Sequence, residues 1–240
     1  MRINFILALA KFDGWSWLKR APATTIGYTA MPLALLFLIY ILSGGKLVEY
    51  AVAGGLIALM STTAIMVAGS TAVFRIQLRI QDLLVATNAT KVEYMFGMAI
   101  ANLIFCVPGL IIYSALGLWF GLFTPLTVLI TIVVLIMLTI AVISIAVFVG
   151  SMFNSISSVW TTASMLGVIL TMIPPTYYPY TLLPTPILYI AALSPVTPAS
   201  VILQGYYGLE PINNYMFIIL FAEAVIYFAL ARKYSRWGDG

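Results

Sequence analysis

Between Tyr94 and Leu209 the chain contains no Asp, Glu, Lys or Arg. Nearly half of the protein therefore carries no formal charge. A soluble domain cannot cover its surface this way, because about a quarter of ordinary residues are charged. Over the whole chain 8% of residues are charged and 63% are hydrophobic. The solvent that accepts such a composition is a lipid bilayer, so the chain reads as an integral membrane protein.

Composition also excludes chemistry. With no histidine, the sequence has no Ser-His or Cys-His nucleophilic pair, no His-ligated metal site and no histidine proton relay. Its single cysteine, Cys106, sits in an apolar segment and reads as a packing residue. No catalytic, cofactor-binding or metal-ligating residues are expected, and an intramembrane enzyme lacks the acid-base constellation it would need. The formal charge of +4 comes from cations at a few loop positions and does not point to nucleic acid. Lys11, Lys19 and Arg20 precede the first long apolar run, so the N-terminus reads without a cleavable signal.

A helix needs about 20 mostly apolar residues to cross a hydrocarbon core of roughly 30 Å, and only helices or closed barrels satisfy their backbone there. The apolar runs predict six spans, at about Thr24–Ser43, Tyr50–Phe74, Tyr94–Leu118, Pro125–Gly150, Ser157–Ile173 and Ile212–Ala231. The fold class is thus an all-α polytopic membrane protein, a single transmembrane domain over residues 1–240. The stretch Tyr177–Gly208 is apolar, but Pro179, Pro184, Pro186, Pro195 and Pro198 interrupt it and six tyrosines crowd it. Prolines forbid one straight helix and tyrosine prefers the membrane interface, so two short re-entrant helices are expected between spans five and six.

With six spans both termini lie on one side. That side holds Arg2, Lys11, Lys19, Arg20, Arg75, Arg79, Lys91, Arg232, Lys233 and Arg236, and only Lys46 falls on the other. The positive-inside rule makes the crowded side the cytoplasm. Residues 1–20 mix Ile3, Phe5, Ile6, Leu9, Phe12, Trp15 and Trp17 with Lys11, Asp13 and Lys19, the pattern of an interfacial helix. Phe74–Glu93 is the one sizeable internal charged segment. Ile76, Ile80, Leu83 and Leu84 recur there at helical spacing, as do Arg75, Arg79 and Asp82, and together they predict a short amphipathic helix at the cytoplasmic surface.

The run Leu83-Leu84-Val85-Ala86-Thr87-Asn88-Ala89-Thr90-Lys91-Val92-Glu93-Tyr94-Met95-Phe96-Gly97 resembles the cytoplasmic loop of ABC-2 type transporter permeases, with Asn88 where that family usually has proline. Pro174-Pro175-Thr176-Tyr177-Tyr178-Pro179, followed by Leu183-Pro184 and by Ser194-Pro195-Val196-Thr197-Pro198, is similar to the family's aromatic-proline segment and its Ser-Pro-x-Thr element. The resemblance implies the permease subunit of an ATP-driven exporter in the cytoplasmic membrane of a prokaryote. It implies a coupling surface for a nucleotide-binding ATPase subunit within Phe74–Glu93, with Arg75, Arg79, Asp82, Leu83, Leu84 and Lys91 as candidates. ATP and Mg would sit on that partner. It further implies that spans two and five line the path and that two permease copies pair.

Small and hydroxyl residues on those spans allow close helix approach in lipid. Ser61, Thr62, Ser157, Thr161 and Ser164 are the candidates for the path or the dimer interface. No phosphate-binding G-x-x-x-x-G-K-[ST] loop is present. Leu42-Ser43-Gly44-Gly45-Lys46 echoes an ATPase signature but falls on the non-cytoplasmic side, as a turn. Asn88-Ala89-Thr90 would be cytoplasmic and so is not a glycosylation acceptor. Glu223 lies nine residues before Arg232, roughly 13 Å into the last span at about 1.5 Å per residue. An acid there is either functional or protonated and bonded to a neighbouring span. A stand-alone ion-coupled carrier and a non-transporting immunity or assembly subunit are the alternatives.

Overall fold

The computed structural model describes residues 2–20, 22–87 and 89–236, with the side chains of Trp17 and Val85 left aside. Asn88, the residue on which the acceptor reading rests, lies outside the described residues. All regular structure among them is helical. The chain opens with α1 (Ile3–Ala10), a π-helical segment at Lys11–Trp15 and α2 (Ser16–Arg20). The long helices are α3 (Pro22–Ser43), α4 (Val48–Ala72), α6 (Lys91–Trp119), α7 (Pro125–Met152) and α11 (Tyr215–Tyr234). Between them lie α5 (Ile80–Ala86), α8 (Ile156–Met172), α9 (Thr185–Ala191) and α10 (Val196–Tyr206).

Five helices are long and apolar enough to cross a membrane: α3, α4 with its π-helical extension to Gln77, α6, α7 and α11. The sixth apolar helix, α8, has 17 residues and is about 26 Å long at 1.5 Å per residue. That falls just short of a hydrocarbon core of roughly 30 Å. The region expected to hold two short helices does hold them, as α9 and α10, preceded by a 3-10 turn at Tyr180–Leu182.

The bundle has a buried apolar core and an apolar outer surface as well. α4 is the hub, in contact with α3, α6, α7, α8 and α10, and 89% of its most apolar stretch is buried, against 17% for α3. Among its buried residues are the small side chains of Ala53, Gly54, Ala58, Ser61, Ala64, Ala68, Thr71 and Ala72. Small side chains let five neighbours approach, which is how helices associate in lipid. Leu56, Ile57, Leu59, Met60 and Ile65 of α4 are buried as well, and further large apolar side chains of the surrounding helices point outward. Ile26, Phe37 and Ile41 of α3, Leu129 and Ile132 of α7, and Ile218 and Phe221 of α11 are all exposed. An exposed apolar belt of this extent needs lipid to cover it.

Local chemistry fixes the helix ends. Thr124 and Thr127 form a reciprocal capping box in front of α7, with Pro125 at the first helical position, where its missing N–H costs nothing. Thr90 and Glu93 do the same for α6. The glycine-rich turn after α3 is a C-cap: Gly44 and Gly45 take left-handed φ values of 59° and 86°, and the Gly45 N–H donates to Tyr40 at 2.9 Å. The nucleotide-like pattern there is thus a helix-ending turn.

Candidate functional site

Two ends of the bundle can be told apart by their contacts. At one, the Arg2 N–H donates to Glu93 Oε1 at 2.6 Å and its guanidinium donates to the Thr87 carbonyl at 2.6 Å. Lys91 donates to the Ser235 carbonyl, Arg75 to the Phe153 carbonyl and Arg236 to Asn154 Oδ1 at 3.2 Å. The two chain ends, the α4–α6 connection and the α7–α8 connection therefore meet in one basic cap. This is the clustering that the cation count predicts.

Within that cap the segment Phe74–Glu93 differs from the single amphipathic helix expected from periodicity. α4 runs on through a π-helical turn, Val73–Gln77. Arg79 then takes a left-handed φ of 49°, which few residues other than glycine adopt, and the chain reverses into α5. The reversal resets the register. Ile76, Ile80 and Leu84 pack against the core, whereas Leu83, expected on the same apolar face, is 66% exposed. Leu78 and Leu83 together with Arg79 and Asp82 form the outward surface. Arg75 and Lys91 are committed to the internal carbonyl bonds just named, and Leu84 is half-buried.

The path candidates separate in the same way. Ser61 is buried in the bundle and bonds back to the Ile57 and Ala58 carbonyls of its own helix. Thr62 and Ser164 meet across a cavity of about 490 Å³ between α3, α4 and α8. Ser157 and Thr161 are exposed on the same face of α8 as Ser164. Cys106 is buried, 3.0 Å from Thr63 Oγ1.

The opposite end is closed by a tied loop. Gln204 on α10 is buried; it accepts from the Tyr180 N–H at 3.0 Å and donates to the Pro175 and Tyr178 carbonyls at 2.7 and 3.0 Å. Tyr180 Oη in turn donates to the Pro211 carbonyl at 2.6 Å, and Tyr50 Oη donates to Glu210 at 2.8 Å. Burial, reinforced by the Glu210 carboxylate, raises the pKa of the Tyr180 phenol, so that it remains a donor. Burial pushes the Tyr207 phenol up to about 12, opposed by its hydrogen bond with Thr131. Nothing in the sequence pattern marks Gln204, although it is the only amide side chain in this apolar stretch. Q204L is expected to cost about 2 kcal/mol, because it strands backbone groups in a buried site. Thermal unfolding of the purified variant in detergent checks this.

Besides Glu93, which is buried and bonded in the basic cap, two further acids are buried among the described residues. Glu223 on α11 is 8% exposed, and neither carboxylate oxygen has a hydrogen-bond partner among the described residues. The bond to a neighbouring span that one reading of the sequence expects is not formed. Asp13, read from the sequence as part of an interfacial face, is also buried. The sequence signal for this is the Asp13-Gly14 pair. Among the described residues no group of three or more Cys, Asp or Glu side chains is placed to hold a metal.

The fold and these sites define a polytopic helical membrane protein with one basic cap and one tied cap. Comparison with protein-family models and with curated proteins gives no match.

Proposed function

We propose that this chain is the permease subunit of an ATP-driven exporter of the ABC-2 type, with both termini and the basic cap in the cytoplasm and α8 counted as a sixth crossing. ATP is hydrolysed on a separate nucleotide-binding subunit, and two permease copies work as a pair in the cytoplasmic membrane of a prokaryote. The cargo is an amphipathic molecule.

The observation that carries this reading is the surface of Leu78, Arg79, Asp82 and Leu83, presented at the basic cap. Two exposed leucines flanked by opposite charges suit a protein partner better than water. The surface is also braced for transmitting force. Arg2 bonds both Thr87, just after α5, and Glu93 at the start of α6, while Arg75 bonds the α7–α8 connection. A push on α5 therefore reaches α1, α6 and the entrance to α8. α9 and α10 act as re-entrant helices closing the outer end. The exposed stripe of Ser157, Thr161 and Ser164 is the surface offered to the second copy or to the path.

Purification of a tagged chain from its native membrane is expected to retain an ATPase. The double charge insertion R79E/L83E should reduce that retention at least ten-fold, which corresponds to about 1.4 kcal/mol, without altering the elution profile of the permease itself. Retention unchanged by substitutions across residues 78–87 would remove the basis for the coupling surface.

A second reading, a stand-alone ion-coupled carrier, draws on Glu223, since intramembrane ionisable groups mark ion pathways. Transport by the reconstituted single chain without ATP would favour it.

A further inference from the structure

The second cavity of interest, about 100 Å³, opens beside the 490 Å³ cavity. Both are lined by Thr24, Tyr28 and Met66, so they read as two lobes of one cleft. The small lobe adds Asp13, Asn102, Phe105 and Trp160. Asp13 is 9% exposed and Asn102 4% exposed, and the Asn102 amide nitrogen is buried with no hydrogen-bond partner among the described residues. Asp13 also keeps an interaction of its own within the protein. Tyr28 and Phe105 meet edge to face at 5.7 Å between ring centroids. The large lobe is lined by Gly27, Met31, Thr62, Ser164, Gly167, Val168 and Thr171 as well as the shared residues, and is mostly apolar.

The chain invests backbone geometry in the small lobe. Asp13 is carried on the π-helical segment Lys11–Trp15, a rare form frequently found at functional sites. Gly14 lets that segment lie directly on α6, since a Cβ there would fall 2.6 Å from the Ala101 carbonyl oxygen. Gly69 seats the Trp160 indole against α4, where a Cβ would fall 2.4 Å from the ring. Two glycines on different helices thus bring an acid and an indole into the same lobe.

We propose that this cleft binds an amine-headed amphiphile. A protonated or quaternary ammonium sits in the small lobe, and an apolar chain lies in the large one. A carboxylate beside Tyr, Phe and Trp faces is the chemistry that holds an ammonium. The stranded Asn102 N–H asks for an oxygen acceptor next to that ammonium, as in a phosphocholine or an amino alcohol. As a cargo site the cleft rests on the permease reading; binding itself needs no motor.

The test uses the whole chain in maltoside micelles and native mass spectrometry. The probes are dodecylphosphocholine and dodecyl phosphate, which share the chain and the phosphate and differ in the amine. The choline probe is expected to be retained at one molecule per chain, at least ten-fold more than dodecyl phosphate. D13N should abolish that preference, and so should W160L, which serves if D13N fails to fold. S158A, outside the lining, should leave it intact. Equal retention of both probes, or a preference surviving in both D13N and W160L, would overturn the site. Selective binding together with ATP-independent transport, or with no ATPase partner, would overturn the permease reading and leave the site standing.

Discussion

Replacing Gly54 with alanine is expected to destabilise the protein by about 3 kcal/mol, at the upper end for overpacking a core. A Cβ at this position would lie 2.1 Å from the Thr176 carbonyl oxygen. The obstacle is backbone, so no rotamer change relieves it. The loop that would have to move is the one Gln204 holds through Pro175, Tyr178 and Tyr180. Retreat of Thr176 would therefore strain buried hydrogen bonds as well as packing. Gly27 is the control. It is also in a helix, but nothing lies within 4 Å of its Cβ position, and G27A should raise stability by about 1 kcal/mol through helix propensity alone. Thermal unfolding of both variants in the same detergent measures the contrast. Equal behaviour would mean that α4 and the loop tied by Gln204 are not in contact as described.

The long helices were legible because their signal is bulk hydropathy, which depends on composition and not on phase. α7 is the clearest case: Thr124-Pro125 announces its start, and the apolar run carries it to Met152. Phase is where the reading went astray. A left-handed Arg79 carries none of the glycine or asparagine signature that usually flags such a turn, so the helical period groups Leu83 with Ile80 and Leu84, whereas the reversal leaves it exposed. The segment around Asp13 misled for a related reason. A π-helical turn does not follow the 3.6-residue period, and a period-based reading assigns Asp13 to the polar side of an interfacial helix. The pair Asp13-Gly14 was the available clue, because glycine in a helix is unfavourable unless something must approach closely. The basic cap, by contrast, was fully legible from charge. Lys91 meeting Ser235 and Arg2 meeting Glu93 join segments far apart in sequence that the cation count had put on one side.

Glu223 was legible as an intramembrane acid but not as an unbonded one, because no sequence pattern reports on a side chain's partners. Its burial without a hydrogen bond makes a second large effect expected. E223L should stabilise the protein by about 2 kcal/mol, since it replaces a stranded polar group by an apolar one of similar volume. Under the proposed transport function this carboxyl group is the candidate ionisable group of the last span. E223L is accordingly expected to lower transport at least ten-fold while raising the unfolding temperature, and E223Q should separate the two roles. The amide keeps the shape and the hydrogen-bonding capacity but cannot exchange a proton. If protonation is the function, E223Q is as inactive as E223L; if a hydrogen bond formed in another state is the function, E223Q retains activity. Full transport in E223L would leave the acid with no role and would weaken the ion-coupled alternative with it, because that alternative draws on this carboxyl group.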